Sequence, residues 1–518
     1  MKFLYLILVP FVLLGVFILQ SETTIDQTAF KVSTKRNTSH LLPGDFRVPA
    51  GIGATVIASG LDVPWEITWG PDKKIWITEQ KGVVSRIDPV SGEKDVILQI
   101  KDVWFLRTAG LLGMALHPDM KNYPYVFLNY TFLRDEKPFS RLVRYTWKSD
   151  TLTSPKILME IAANNGHSGS RLTFSKGKLF WATGDAASTA FSQDFNSPNG
   201  KILRLNIDGS VPADNPVKGS PVWAMGFRNI QGMVFSGANK LYTSEHGDAT
   251  DDEINLIEKT KNYGWPSIQG YADNAKEIEF GKNITSTDPI KSWTPTIAPA
   301  GIDYYSRGSI SEWNNSLLMV SLKGKSLRAL KLDATGTKII NEEIFLENQF
   351  GRLRDICISP SGDVYVSTSN RDWNRTMGDP LPEDDRIIKI SKSAAPLNPV
   401  TGKNTAVVSN TSSLYQQYCA SCHREDGAGL KDVFPALKGS GLVKSGEFPL
   451  IRKILKGSAG PVVIDGVKYD TQMPSFAFLK DAEIAEIVNY VRKLQPEKYP
   501  DVSPQMITKE REKLSLPR

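Results

Sequence analysis

The sequence is poor in cysteine and histidine, with three of the first and five of the second among 518 residues. A zinc ribbon needs two cysteine pairs, whereas this chain has one pair, Cys419 and Cys422, and the isolated Cys357. Zinc sites of that kind are therefore excluded. If the pair has another task, Cys357 has no partner for an intrachain disulfide. Its neighbours Ile356 and Ile358 predict a buried strand position.

The chain also lacks a long run of one charge. Its 62 basic and 56 acidic residues are spread throughout and leave a net charge of +6, which gives no support to nucleic-acid binding. Hydrophobic residues make up 41% of the chain, as in a globular protein. The length predicts two folded domains with appendages.

The cysteine pair belongs to the segment Cys419-Ala420-Ser421-Cys422-His423, the pattern by which a c-type haem is covalently attached. Both thiols would become thioethers, and His423 would ligate the iron. No histidine follows the motif, so the predicted sixth ligand is Met473, on a loop before a final helix, rather than Met506. The alternatives are a redox Cys-x-x-Cys with an incidental histidine and, for Met473, an ordinary core position.

The segment after Met473 has a helical apolar period, at Ile484, Ile487, Val488, Val491 and Leu494. With the attachment motif near a first helix, residues 411–496 resemble the class I cytochrome c family. The resemblance implies a small all-α domain that carries single electrons. Residues 497–518 have no clear period and are expected to form a polar tail.

The N-terminus has the layout of an export signal. Lys2 is followed by an uncharged run from Phe3 to Leu19, so residues 1–20 are expected to be a cleaved signal peptide or a retained membrane anchor. Residues 21–45 form a polar leader. This predicts a periplasmic or other extracytoplasmic location.

Between leader and haem segment, short β-rich runs recur six times, each followed by a second run. Units of that size without a helical period favour a six-bladed all-β propeller over residues 46–392, against a pair of β-sandwiches. The Pro- and Asn-rich residues 393–410 read as a linker. The first runs are Ile75–Thr78, Tyr125–Leu128, Leu179–Ala182, Leu241–Ser244, Leu317–Val320 and Val364–Ser367.

Polar motifs punctuate these runs. His167 lies between glycines before a strand and Asp185 follows it, the residue types that a general base and its orienting carboxylate require. Arg228 and Asn229 lie in a second Gly-flanked turn, suited to gripping carboxylates or a quinone carbonyl. The acidic loop 244–253 suits calcium. Structural roles remain the alternative for each motif.

Five segments together resemble the soluble glucose and aldose sugar dehydrogenases that depend on pyrroloquinoline quinone (PQQ), whose fold is also a six-bladed propeller. They are Gly166–Leu172, Gly226–Gly232, Asp251–Ile257, Asn262–Pro266 and Arg352–Asp355.

The resemblance implies an oxidoreductase acting on CH-OH groups, with His167 as base, Asp185 as its orienting group, and Arg228 polarising the quinone carbonyl. It also implies that PQQ is held by Asn229, Lys323, Arg352 and Arg354. Calcium at the quinone would bind Gly247 and Asp248. Further calcium positions would be Glu253, Tyr263, Gln269, Tyr271 and Asp273.

Two positions depart from the family pattern. Thr108 replaces a Gln, and Gly166 replaces an Asp beside the catalytic histidine. We expect a dehydrogenase that passes electrons from an aldose or related alcohol through PQQ and its own haem to an external acceptor, such as a soluble cytochrome or respiratory component. The alternative is a non-catalytic propeller that binds carbohydrate or protein and carries a cytochrome relay.

Overall fold

The computed structural model describes residues 52–375, 380–392, 413–430, 433–458, 462–464, 466–469 and 473–516. The expected export segment 1–20, leader 21–45 and linker 393–410 lie outside these residues. Within the described part of the chain, no helix is long and apolar enough to span a membrane.

The first large region is built of six antiparallel four-stranded sheets, as predicted. In chain order its strands are β1 (Ile52–Ala58), β2 (Pro64–Trp69), β3 (Ile75–Glu79), β4 (Val83–Ile87), β5 (Lys94–Gln99), β6 (Leu111–Leu116), β7 (Tyr125–Arg134), β8 (Lys137–Lys148), β9 (Thr151–Ala162), β10 (Gly169–Ser175), β11 (Lys178–Thr183), β12 (Lys201–Leu205), β13 (Val222–Met225), β14 (Ile230–Phe235), β15 (Leu241–Glu245), β16 (Asp252–Ile257), β17 (Lys291–Trp293), β18 (Pro299–Tyr305), β19 (Ser316–Ser321), β20 (Ser326–Leu332), β21 (Ile339–Phe345), β22 (Leu353–Ile358), β23 (Val364–Thr368) and β24 (Ile387–Lys392). Its short helices are α1 (Ala190–Gln193), α2 (Ala275–Phe280) and a 3₁₀ turn, Ser311–Trp313.

The sheets form a closed ring. Five blades are consecutive, from β2–β5 to β18–β21, and the sixth has the order β1-β24-β23-β22. The first strand of each blade, from β2 to β22, contacts that of the next, and β22 contacts β2 again. The N-terminal strand thus completes the last blade, pairing Ile52 with Lys392 and Val56 with Ile388.

The six runs predicted from sequence all fall in the second strands of the blades, and their companions fall in the third strands. These middle strands are covered by neighbouring blades on both faces, which explains why they read as continuous apolar runs. Trp76 and Trp181 are completely buried there. Cys357 is buried in β22, as expected.

The second region is a small, mostly helical domain, as predicted, with one added hairpin. Its helices pack around one apolar core that includes Tyr415, Ile451 and Ile484. The helices are α3 (Ser413–Tyr418), α4 (Ala420–His423), α5 (Gly441–Lys444), α6 (Glu447–Lys456), α7 (Asp481–Lys493) and α8 (Pro504–Lys513); the hairpin strands are β25 (Val462–Ile464) and β26 (Val467–Tyr469). The apolar period predicted after Met473 is the buried face of α7.

The expected polar tail, residues 497–518, behaves differently. It contains α8, and Ile507, Glu510 and Arg511 are buried against the rest of the domain. Arg511 donates to Asp481 at the start of α7 and to the carbonyl of Leu479. The segment shows no helical period of apolar residues, because two of its three buried helix residues are the charged Glu510 and Arg511.

Candidate functional site

The candidate residues of the propeller converge at one end of the ring. His167 precedes β10 and Arg228 precedes β14, both first strands of their blades, whereas Asp185 follows β11 and Lys323 follows β19, both second strands. In an antiparallel sheet the start of one strand and the end of the next lie at the same edge. Residues remote in sequence therefore meet there.

His167 and Asp185 form a hydrogen-bonded pair. The imidazole Nδ1 lies 2.8 Å from Asp185 Oδ1, and the His167 side chain keeps 27% exposure whereas Asp185 is buried. Asp185 also accepts hydrogen bonds from the Ala187 amide, at 2.8 Å, and from Trp265 Nε1, at 2.8 Å. With the proton on Nδ1, the other ring nitrogen, Nε2, has its lone pair available for a ligand.

The backbone around this pair is tightly packed. His167 adopts a left-handed conformation, with φ of 53°, and its carbonyl accepts a hydrogen bond from the Ala186 amide. A Cβ added at Gly184 would overlap that carbonyl oxygen. Gly184 therefore permits the strand ends to approach closely enough for Asp185 to reach the imidazole.

Electrostatics favour the protonation states that a general base needs. Burial, followed by the positive charge of Arg228, lowers the pKa of His167, although Asp185 acts in the opposite direction. Burial alone would raise the pKa of Asp185, but His167, Arg228 and the Trp265 hydrogen bond hold it below its usual value. At neutral pH the pair is therefore a neutral imidazole beside a carboxylate.

Arg228 lies next to this pair and is fixed from two sides. Its Nη2 lies 3.0 Å from Asp248 Oδ1, and its Nη1 lies 3.4 Å from the His246 carbonyl. Asn229 accepts from the Gly169 amide and from Gln231 Nε2 through the same side-chain oxygen. Asn229 thus connects the His167 loop to the start of β14.

The remaining cationic candidates outnumber their acidic partners. Arg352 and Arg354 share one carboxylate, Asp372, at 2.7 and 3.5 Å. Lys323 donates to Thr296 Oγ1 at 2.9 Å and has no carboxylate within ion-pair distance among the described residues. Burial lowers the pKa of Lys323 and lowers that of Arg354 to about 10, so an anion would restore the balance that burial removes.

Three buried nitrogen atoms at this end have no hydrogen-bond partner within the described part of the chain: Nε of Arg228, Nε of Arg354 and Nε2 of His246. Buried polar atoms without partners are costly, and their presence indicates a ligand that supplies polar groups of its own. A flat molecule with several carboxylates and carbonyls, such as PQQ, fits this set.

The candidate calcium residues lie in one neighbourhood but do not form a ready cage. Gly247, Glu253, Tyr263 and Gln269 line one small cavity with Arg228. Burial first, and then neighbouring negative charge, raises the pKa of Glu253, and the same two causes raise that of Glu245.

Several of the expected calcium positions already have partners or lie further out. The Tyr263 hydroxyl donates to the Leu256 carbonyl, and Asp248 pairs with Arg228. Burial, Asp288 and Glu253 raise the pKa of Tyr271, and burial followed by Asp273 raises the pKa of Asp251. Tyr271 and Asp273 are therefore neighbours of the acidic loop. No three acidic, histidine or cysteine side chains in the described ranges converge as metal ligands, so a calcium ion there would need backbone carbonyls.

In the small domain, the attachment motif and Met473 border one apolar core. His423 Nδ1 lies 2.9 Å from the Pro435 carbonyl, a contact that directs Nε2 away from the backbone and towards an iron ligand position. Met473 is held by two backbone hydrogen bonds with Ser458, and it packs in the same core as Cys419. Two thiols, an imidazole and a thioether are the donor types that a c-type haem requires.

Sequence reasoning missed several residues that position the site. Trp265 was recognised only as part of a motif, although its indole donates a hydrogen bond to Asp185. Glu245 accepts hydrogen bonds from the Arg228 and Asn229 amides but had no assigned role. His246 had none either. A cavity of about 340 Å³ was also unforeseen; it is lined by Lys81, Arg107, Arg371 and Trp373. Local sequence carries no signal for contacts made across blades.

Comparisons with known proteins agree with this geometry. The sequence model of the Glucose / Sorbosone dehydrogenase family matches residues 61–375, and that of cytochrome c matches residues 408–495. Quinoprotein glucose dehydrogenase B of Acinetobacter calcoaceticus is 32% identical over 408 residues, which covers 60% of this chain and 84% of that protein. The PQQ-bound aldose sugar dehydrogenase of Streptomyces coelicolor superposes with a TM-score of 0.58 at 30% identity, covering 66% of this chain and 99% of the other. Cytochrome c-552 of Thermus thermophilus is 36% identical over 129 residues, covering 20% of this chain and 95% of that protein.

Proposed function

Because the chain belongs to the Glucose / Sorbosone dehydrogenase family and joins that propeller to a cytochrome c domain, we propose that it oxidises an aldose or a related alcohol, using PQQ and then its own haem as acceptors. For an aldose, the anomeric hydroxyl would become a lactone carbonyl. The observation that carries the proposal is the His167–Asp185 pair beside Arg228, set among buried cations at one end of the ring.

The catalytic work of the chain itself is proton transfer and charge stabilisation. When bound, PQQ supplies the acceptor for the hydride of the anomeric carbon. His167 Nε2 takes the hydroxyl proton, because Nδ1 is committed to Asp185. Asp185 then stabilises the imidazolium, and Arg228 donates to the oxygen on which negative charge develops. Asn229, Lys323, Arg352 and Arg354 hold the carboxylates and carbonyls of the cofactor.

The helical domain provides the exit for electrons. Cys419 and Cys422 would carry the haem thioethers, His423 Nε2 would ligate the iron, and Met473 would supply the sixth ligand. An external one-electron acceptor would then reoxidise the haem. The attachment motif and the N-terminal residues 1–20 support an extracytoplasmic location, with the second also available as a tether.

Calcium is the third proposed group, with Gly247 and Asp248 at the cofactor and with Glu253, Tyr263, Gln269, Tyr271 and Asp273 as further positions. Calcium should relieve the mutual repulsion of Glu245 and Glu253. At a hundredfold excess over its dissociation constant it should stabilise PQQ-free protein by about 2.7 kcal/mol. A thermal unfolding series with calcium and with chelator measures this. Glu253→Gln should abolish the increment, and an unchanged increment would remove Glu253 as a ligand.

The decisive experiment reconstitutes haem-loaded protein with PQQ and calcium and follows haem absorbance while aldoses are added. Sugar-dependent reduction is expected, and His167→Ala should lose turnover while retaining the cofactor. If no aldose reduces a haem that dithionite reduces readily, the dehydrogenase assignment is wrong and the binding-propeller alternative stands.

A further inference from the structure

The cytochrome domain contacts the propeller at the end that carries the site. Arg107, in the connection between β5 and β6, has its guanidinium carbon 4.9 Å from the ring centre of Trp373, in the propeller, and 5.3 Å from that of Phe434, in the cytochrome. The two rings are 5.4 Å apart. One cation thus joins an aromatic side chain from each domain.

Two further contacts lie around the same end. Lys323, from the turn after β19, has its Nζ 6.0 Å from the ring centre of Tyr418. Ala249, in the loop after β15, packs against the apolar core of the cytochrome. Together with Trp373 after β23, these residues come from three different blades, and Arg107 lies just before a fourth. The cytochrome therefore rests across the site rather than on one blade.

The contacting cytochrome residues are those next to the haem attachment. Tyr418 directly precedes Cys419, and Phe434 directly precedes Pro435, whose carbonyl holds His423. The Lys323 ammonium and the Arg107 guanidinium, which contact Tyr418 and Phe434, therefore lie close to the attachment motif.

A haem attached at Cys419 and Cys422 would be held next to Tyr418, the residue that contacts Lys323, a proposed cofactor ligand. Electron transfer between two centres falls steeply with distance, so this orientation serves collection of electrons from the propeller. An arginine beside two neighbouring aromatic rings suits such a contact because the attraction between a guanidinium and an aromatic ring persists when water is excluded.

We propose that this contact is the position in which the cytochrome collects electrons, and that Arg107 is the positioning residue that holds it there. The inference rests on the proposed function. Two electrons leave the reduced cofactor one at a time, each reducing ferric haem to ferrous haem, and the two protons pass to solvent. The external acceptor, supplied in the test as ferricyanide, reoxidises the haem between the two transfers.

The test uses the full chain with haem, and compares Arg107→Ala with Phe434→Leu, which removes the opposite side of the contact. The Phe434 variant is needed because Arg107 Nη1 also lies 3.3 Å from Asn165 Oδ1, two residues from His167. The matched controls are Arg144→Ala, which removes an arginine stacked on Tyr125 within one blade, and Phe448→Leu, which removes a cytochrome ring stacked under Lys513.

Three measurements separate the outcomes. Stopped-flow haem reduction by sugar should slow by about tenfold in both interface variants, equivalent to about 1.4 kcal/mol of docking free energy, while the controls keep the native rate. Sugar-dependent reduction of a small dye by the propeller should not change. Small-angle X-ray scattering of PQQ-free, haem-loaded protein should show a larger maximum dimension for the interface variants only.

Unchanged haem reduction and unchanged scattering in both variants would overturn the proposal. An equal fall in dye and haem reduction would also overturn it, because Arg107 would then act on the sugar site. If native protein reduces no dye, the proposed function fails, and scattering of the PQQ-free variants still decides whether Arg107 holds the two domains together.

Discussion

At the scale of single residues, the site depends on how one imidazole is held. Asp185 accepts hydrogen bonds from His167 Nδ1 and the Ala187 amide at one oxygen and from the Trp265 indole at the other. This fixes the ring and its tautomer before a substrate arrives, which is the pre-organisation that general base catalysis requires. Arg228 then sets the charge that the imidazole experiences.

Replacing that carboxylate should cost most of the proton-transfer contribution. Asp185→Asn removes the negative charge that stabilises the imidazolium and presents an amide NH₂ to one of the donors. We expect kcat/KM for the best aldose to fall by at least about a hundredfold. Steady-state kinetics with a dye acceptor measure this, and PQQ titration should show retained binding. A loss below fivefold would assign the orienting role elsewhere.

The activity should persist into mildly acidic solution. The base works when neutral, so activity falls as pH drops through the pKa of His167, which burial and Arg228 place below 6.5. The acidic limb of the kcat/KM profile should therefore be centred below pH 6.5. A limb centred above pH 6.5 would contradict this electrostatic description.

At the scale of elements, the close approach of strand ends decides which glycines matter. A Cβ at Gly184 would meet the His167 carbonyl, whereas one at Gly166 would meet no atom within 4 Å. Position 166, where this chain departs from the family pattern, therefore has room for a larger side chain. Gly166 and Gly184 both lie beside His167, so substitutions at the two glycines can be compared directly.

Gly184→Ala should separate His167 from Asp185 and destabilise the propeller by about 1–3 kcal/mol, with activity falling at least tenfold. Gly166→Ala should change both quantities little, because its position is unobstructed. Thermal unfolding and dye-linked kinetics measure the two effects. Equal effects of both substitutions would show that backbone packing at β11 does not set the imidazole position.

Ring closure by β1 gives a second prediction at this scale. Ile52 is buried in the core shared with blades five and six, whereas Val56 on the same strand is 41% exposed. Ile52→Ala should cost about 2–4 kcal/mol of unfolding free energy, and Val56→Ala should cost below about 1 kcal/mol. Denaturant titration distinguishes them, and a mild Ile52 effect would mean that β1 contributes little to closure.

At the scale of the whole molecule, buried acids join neighbouring blades. Asp385 accepts from the Val63 amide at 3.1 Å and links blade six to the start of blade one. Asp303 accepts from the Ile358 amide at 3.0 Å and links blade five to blade six. Burial raises the pKa of Asp385 to about 6 and that of Asp303 to about 7.

These shifts give a pH dependence of stability with a defined sign. Both carboxyls bind protons more tightly when folded, so their contribution is full below about pH 4 and is lost as pH rises through about 6 to 7. Denaturant titrations between pH 4 and 8 should show this decline, and Asp385→Asn should reduce its slope. An unchanged slope in the variant would assign the decline to other groups.

The sequence predicted those features of the structure that depend on neighbouring residues in the chain. The Cys-x-x-Cys-His motif, the apolar period of α7 and the six middle-strand runs are local patterns, and each was found where expected. The helix α8 was missed because Glu510 and Arg511 hold it against α6 and α7. Charged residues in a sequence do not indicate that they will be buried in such a contact.

The same distinction applies to the whole protein. The sequence alone determined the haem attachment motif, the number of blades and the residue types of the proposed base, because covalent chemistry and burial on both faces of a strand produce local patterns. Only the tertiary structure decided that Trp265 holds Asp185, that β1 closes the ring, and that Arg107 joins Phe434 to Trp373. Those contacts unite residues far apart in the chain, and their geometry follows from ring closure and domain packing rather than from neighbouring residues.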